Sequence, residues 1–295
     1  MIIAQISDTH IALDVPDAGQ RIADFERAIA DINSLDPAPD VIFHTGDVVH
    51  NGRAEEYAEA VRILDKGRVP VFVIPGNKDD RANMRVAFAD RGYFDPNDEF
   101  IEYTLEDYPV RLIAVDTLNT ASNKGDFCVE RARRLAERIE ADTTKPIAVF
   151  AHHPPFMVQV GPEPLNFETP EMVERLRRTL QRSTNVIRVI SGHVHRGTAG
   201  HVGEITATVM PSIATTLRWG EYPSHMKDLP VYHIHRFDPD FGPAGGFSTE
   251  TRIVEEADAQ EALECVETCA GGEVASWTGK TAEGFARHAD WSGSS

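Results

Sequence analysis

The sequence predicts an α/β fold on three observations. Short apolar runs alternate with helical patterns in the order β-α-β-α-β near the N-terminus, the same habit returns in the middle of the chain, and after His195 apolar and polar residues alternate instead. Strands separated by crossover helices lie parallel with the helices on the sheet faces. Alternation between turn-rich spacers marks antiparallel strands.

Ile2 to Ile6 is an apolar run that stops at Ser7-Asp8-Thr9-His10, a strand feeding a loop. Ile22, Phe25, Ile29 and Ile32 recur at three- and four-residue intervals, which gathers them on one helix face, and Asp36-Pro37 ends the pattern. Val41-Ile42-Phe43 is the next strand and stops at Gly46-Asp47. Tyr57, Val61 and Leu64 mark a second helix closing at Gly67, and Val69 to Ile74 is a strand ending in Pro75-Gly76-Asn77-Lys78-Asp79. Val110 to Val115 leads to Asp116 and a long polar loop, Thr117 to Asp126. Leu135 and Ile139 mark another helix, and the strand Ile147 to Phe150 exits at Ala151-His152-His153-Pro154-Pro155. Thr169-Pro170-Glu171 reads as a helix start, a hydroxyl cap before a proline, with Val173, Leu176 and Leu180 as the apolar face. Val186 to Ile190 then runs into Ser191-Gly192-His193-Val194-His195. Gly203 to Met210, Pro230 to Phe237 and Phe247 to Val254 are expected to form antiparallel strands of a second sheet. The domain is expected over 1–254, and 255–295 as an extension: a short helix over Ala257 to Cys269, then a weakly ordered tail.

The chain has 295 residues, ample for a large core. Its 29 Lys+Arg against 47 Asp+Glu give a formal charge of -18, which repels phosphate backbones and anionic membranes and argues against a nucleic-acid partner. The three cysteines, Cys128, Cys265 and Cys269, are odd in number and lack zinc-finger spacing, which fits a reducing compartment. The N-terminus shows no basic n-region or apolar h-region, and no run approaches membrane-spanning length. A cytoplasmic protein without a membrane partner is expected.

The chemistry lies at the strand exits. Asp8 and His10, Asp47, Asn77, His152, then His193 and His195 each follow an apolar run, and parallel strands bring such ends to one edge of a sheet. Singly, each has a duller role: Asp8 and Asp47 can cap turns, Asn77 can hold a left-handed backbone, and His152 can be a turn residue. Together they make a mixed oxygen and nitrogen set, too large for one tetrahedral zinc and suited to two transition metals bridged by a carboxylate. A metal pair activates a shared hydroxide and neutralises phosphate oxygens, which is the chemistry of phosphoester hydrolysis.

The series Asp8-x-His10, Gly46-Asp47, Gly76-Asn77, His152 and Gly192-His193-Val194-His195 resembles the calcineurin-like metallophosphoesterases over about residues 1 to 237, closest to the class III cyclic nucleotide phosphodiesterase and glycerophosphodiesterase branch. The resemblance implies a four-layer α/β/β/α sandwich of two mixed sheets. It also implies that Asp8, His10, Asp47 and His195 bind a first metal, and that Asp47, Asn77, His152 and His193 bind a second, with Asp47 bridging. The ions would be divalent or mixed-valence, iron and manganese ahead of zinc. His153 has no ligand role in that scheme and is expected to pack behind it.

One position departs from the pattern: Lys78 stands where the family usually has a histidine, thought to stabilise the transition state or protonate the leaving oxygen. A lysine supplies positive charge and a donor to a phosphate oxygen but is an ill-matched acid at neutral pH. Asn77 and Lys78 are thus the expected catalytic residues, Lys78 also binding substrate, and the departure favours diesters. The expectation is a phosphodiesterase acting on a small organic phosphodiester, a cyclic nucleotide or a glycerophosphodiester. The alternatives are a phosphomonoesterase and a non-catalytic interaction module on the same fold. Asp116, Asn119 and Asn123 are expected near substrate, and His44 and His50 behind the ligands. Trp219 to Lys227, with Tyr222 and His225, would cap the cleft or form a homo-oligomer contact.

Overall fold

A computed structural model describes residues 1–159, 166–224 and 226–254. Strands β1 (Ile2–Ile6), β2 (Val41–His44) and β3 (Val71–Val73) are parallel, joined by helices α1 (Ala18–Ser34) and α2 (Ala54–Leu64). Helix α1 buries Phe25, Ala28, Ile29 and Ile32, and α2 buries Tyr57, Ala60, Ile63 and Leu64, so the apolar periodicity is the buried face in both. A short helix the periodicity does not show, α3 (Arg81–Ala87), follows; Asp80 caps it by accepting from Asn83 N at 2.8 Å. It buries Met84 alone and therefore has no apolar stripe.

A second sheet contains β4 (Tyr103–Leu105), β5 (Arg111–Val115), β6 (Ile147–Ala151) and β7 (Val186–Ser191), with α4 (Val129–Glu140) and α5 (Pro170–Leu180) between its parallel members. Thr169 precedes α5 with Pro170 in the first turn, as expected, but its hydroxyl makes no capping bond to the backbone and serves the Glu171 carboxylate instead.

The late strands do not form a sheet of their own, which corrects the expectation. The hairpin β8 (Thr198–Val202) and β9 (Ile205–Val209) extends the second sheet, with β9 parallel to β7. The hairpin β10 (Val231–Asp238) and β11 (Gly246–Ile253) returns to the first, with β10 antiparallel to β1 in the register Ile2↔Arg236. The orders are β11-β10-β1-β2-β3 and β4-β5-β6-β7-β9-β8. Alternation reports that a strand is half-buried and antiparallel to a neighbour. It does not report which open edge that strand will take.

The two sheets stack. Phe43 of β2 and Phe150 of β6 lie face to face with ring centroids 3.7 Å apart and planes 10° apart, each burial contributing about 2 kcal/mol. Leu112, Ala114, Ala148 and Phe150 face the first sheet, whereas Ile113, Val115, Ile147 and Val149 face α4 and α5. The architecture is α/β/β/α. Met1–Val254 fold as one compact unit; the expected extension, with Cys265 and Cys269, lies outside the described residues, as does His225. Among the described residues no helix is long and apolar enough to cross a membrane.

Candidate metal centre

The exits of β1, β2, β3, β6 and β7 meet at one edge of the stacked sheets, and the loops there are held in conformations L-residues avoid. Asp8 (φ 54°), His10 (φ 44°), Asp47 (φ 51°), His193 (φ 75°) and His195 (φ 52°) are the non-glycine residues with positive φ among the described residues. Each costs on the order of 1–2 kcal/mol, and such strain persists where the surroundings over-determine it and function uses it. The surroundings do so here. Asp8 N donates to Gly46 O at 3.0 Å, His10 N to Asp47 O at 3.0 Å and Gly192 N to His152 O at 3.1 Å. Glycines permit these approaches: a Cβ on Gly76 would sit 2.2 Å from Asp47 Oδ1, one on Gly46 2.6 Å from His152 Nδ1, and one on Gly192 2.0 Å from Ser7 Oγ.

All seven residues singled out as ligands come together. Asp8, His10, Asp47 and His195 form one group whose donor atoms lie within 4.8 Å of one another. His10 Nε2 is 3.0 Å from His195 Nε2 and 3.4 Å from Asp47 Oδ2, and His195 Nε2 is 3.3 Å from Asp8 Oδ1. Beside it, Asn77 Oδ1 lies 3.2 Å from His152 Nε2 and 2.9 Å from His193 Nδ1, and Asp47 Oδ1 is 3.6 Å from His152 Nε2. Asp47 thus turns one oxygen to each group. Backbone carbonyls fix the imidazoles: His152 Nδ1 donates to Thr45 O and His195 Nδ1 to Leu217 O, both at 2.8 Å, which turns each Nε2 inward to the clustered side chains.

The electrostatics follow from burial of opposite charges. Burial pushes the Asp8 carboxyl up, but the charge and hydrogen bond of His195 outweigh it and hold it at about 2. Burial is likewise overcome at Asp47, held well below the usual range by His152 and His10. Against its burial, His152 is lifted to about 9 by Asp47, and His195 is raised by Asp8. Burial lowers His10 and His193 to about 3, so both are neutral. Ionised carboxylates among imidazoles are the donor set of a cation site, and a bound cation would displace the protons that His152 and His195 hold beside Asp47 and Asp8. His193 Nε2 is also buried without a partner. The residues present fit two metal ions.

Around the groups sit the supports. His44 accepts from Gly46 N at 3.2 Å and is 2.9 Å from Thr9 Oγ1, and the His50 ring meets His10 edge-on, so both lie next to the clustered side chains. His153 is also within reach of His152 and His193, but its Nδ1 is 2.8 Å from Thr117 Oγ1 and its Nε2 3.3 Å from Asn123 O, which ties it to the wall. Asp116 is not a substrate residue: it is fully buried in a bidentate pair with Arg81 at 2.7 and 2.8 Å. Sequence reasoning passed over Asp79, whose carboxylate accepts from Gly76 N (2.8 Å), Val48 N (3.2 Å), Val49 N (3.3 Å) and Tyr57 Oη (2.9 Å). It straps the Asp47 loop to the Asn77 loop, and its signal was its place two residues after Asn77.

Lys78, half-buried, follows Asn77 at the edge of the cluster. Its N donates to Asp47 Oδ1 at 2.7 Å and its Nζ to Asn123 Oδ1 at 3.2 Å. Lys78, Asn77, Asn119 and Asn123 line a polar cleft of about 400 Å³. On the other side Trp219 N donates to His195 O at 3.0 Å, so the start of the Trp219 to Lys227 segment borders the site.

The family model for calcineurin-like phosphoesterases matches residues 1–197. A probable glycerophosphodiester phosphodiesterase, GpdQ, of Arcobacter nitrofigilis is 35% identical over 204 residues, 66% of this chain and 72% of that protein. A glycerophosphodiester phosphodiesterase of Enterobacter lignolyticus is 31% identical over 225 residues, 72% of this chain and 77% of that one. Among solved structures, a dimetal phosphatase from Danio rerio superposes with a TM-score of 0.64 at 13% identity, over 87% of this chain and 97% of that one, and shares the fold. The protein is a metal-dependent phosphoester hydrolase whose fold holds two metal ions, and the chain belongs to the calcineurin-like phosphoesterase family.

Proposed function

We propose that the chain is a phosphodiesterase for small organic phosphodiesters of the glycerophosphodiester type. The observation that carries this reading is Lys78, whose Nζ meets Asn123 Oδ1 in a polar cleft that Asn77 also lines and whose backbone N is held by Asp47 Oδ1. Asp8, His10, Asp47 and His195 would hold one ion, and Asp47, Asn77, His152 and His193 the other, with iron and manganese ahead of zinc for such mixed donors. When bound, the ions supply Lewis-acid polarisation of phosphoryl oxygens and a lowered pKa for water. The chain's own residues do the rest. Lys78 holds a non-bridging phosphate oxygen, and Asn123, bonded to Lys78 Nζ at 3.2 Å and 3.4 Å from Asn77 Nδ2, orients both. Position 78 carries an ammonium and not an imidazole, and one fixed positive charge matches the single negative charge of a diester. The -18 charge supports a small-molecule substrate over a nucleic acid.

A panel tests the reading: hydrolysis of an aryl diester, an aryl monoester, cyclic AMP and a glycerophosphodiester with iron, manganese or zinc in turn. Diesters should lead, with the glycerophosphodiester ahead of cyclic AMP. Faster monoester turnover with every metal overturns the preference, and no turnover together with no retained metal overturns the enzyme.

A further inference from the structure

A second cavity, of about 780 Å³, lies at the Val186 end of β7, between β7, β9 and the turn that joins β10 to β11. The metal centre lies beyond the Ser191 end of the same strand, roughly 20 Å along it. The cavity's walls include Ile205, Phe241 and Phe247, and Arg188 is the cation among its lining residues.

Arg188 is the unusual feature. It is 6% exposed, on the face of β7 turned toward the first sheet. Its Nη2 donates to Phe247 O and its guanidinium lies over the Phe247 ring, 5.8 Å from the centroid. Its Nε is buried with no partner. Among the described residues no carboxylate pairs with it, and burial alone pushes its pKa down. A guanidinium keeps its charge in proteins, so burial without a counter-charge is costly, and one carbonyl and one ring face compensate it only in part.

The rest of the wall narrows the ligand. One planar cation matches one carboxylate. A dianion would leave a charge uncompensated beside Glu204, which also lines the cavity. The aromatic wall calls for an apolar body; Phe241, 69% exposed, offers its ring to whatever enters. We propose that this cavity is a binding site for a small monocarboxylate with an apolar body, the carboxylate on Arg188 and the body against Phe241 and Phe247. The site does not depend on the hydrolytic reading.

The test is calorimetric titration of the full-length, metal-loaded protein with benzoate and, as the uncharged control, methyl benzoate. Benzoate should bind and its ester should not. Arg188→Gln should weaken benzoate roughly tenfold or more, and Phe241→Ala should weaken it severalfold while leaving aryl diester hydrolysis unchanged. Equal binding of benzoate and its ester, equal binding to wild type and Arg188→Gln, or binding removed by a chelator and not by Arg188→Gln each overturns the proposal. Should Arg188→Gln fail to fold, Phe241→Ala and the ester comparison decide it alone.

Discussion

His10 and His195 bring their Nε2 atoms to 3.0 Å of one another, and the Nδ1 of His195 is already spent on Leu217 O. Two ring nitrogens so placed are satisfied together by one cation between them. Removing one should therefore empty one site and spare the other. His195→Ala leaves Asp47, Asn77, His152 and His193 in place, so bound metal should fall from about two ions per chain to about one. Elemental analysis of the purified protein measures this. Retention of two ions contradicts the division of ligands.

Asp47 serves both groups, with Oδ2 3.4 Å from His10 Nε2 and Oδ1 3.6 Å from His152 Nε2. Asp47→Ala should abolish turnover and depress both ions at once, while circular dichroism stays close to wild type because the hydrophobic clusters are untouched. Activity near wild type sinks the bridging role.

Much of this was legible in the sequence, and the unread parts have physical reasons. Strand exits announced themselves because an apolar run that ends in Gly-Asp, Gly-Asn or Gly-His is a local pattern, and the order of such runs fixes parallel pairing. The return of β10 to the open edge of β1 is a non-local choice that alternation does not encode. Helix α3 and strand β4 are too short to show a period. Asp79 and Asp116 look alike in sequence, each an acid just past a strand. Only the fold shows that one straps the Asp47 loop to the Asn77 loop and the other is locked to Arg81.

Gly192 tests how tightly the loops must close. A Cβ there would lie 2.0 Å from Ser7 Oγ and 2.6 Å from Asp8 Oδ2. Gly192→Ala should destabilise the fold by about 1–3 kcal/mol and weaken metal binding at the Asp8 group. Gly19, in α1 with nothing within 4 Å of its would-be Cβ, is the control, and Gly19→Ala should be neutral or stabilising by up to about 1 kcal/mol. Urea melts compare them. Equal effects would show that the close approach imposes no constraint.

His233 sets part of the acid limit. It lies on β10 beside His235, ring centroids 5.8 Å apart, and burial lowers it from 6.5 to about 4. The unfolded chain takes up the proton first as pH falls. The stability this neutral imidazole contributes is thus complete above pH 6.5, is lost as pH falls toward 4, and amounts to about 3 kcal/mol. His233→Gln removes the titration, so its stability should decline less steeply than wild type across that window. Parallel curves from denaturant melts at pH 7, 5.5 and 4.5 would falsify the assignment.

Lys78→His is the sharpest probe of specificity. Lys78 N is held by Asp47 Oδ1 at 2.7 Å, so the backbone at 78 is fixed by the metal-site carboxylate whatever side chain it bears. The side chain alone reaches the cleft, where Nζ meets Asn123 Oδ1. An imidazole there gains a proton to give near neutral pH and loses a permanent charge. A monoester, whose leaving oxygen takes that proton, should gain, and a diester held by the ammonium should lose. The ratio of aryl monoester to aryl diester kcat/KM should rise about tenfold or more. The rise should lie in kcat for the monoester, since proton donation acts in the transition state, and in KM for the diester, since the ammonium binds the ground-state anion. An unchanged ratio would mean that Lys78 faces solvent without touching substrate, and that the diester preference must arise from the cleft wall at Asn119 and Asn123.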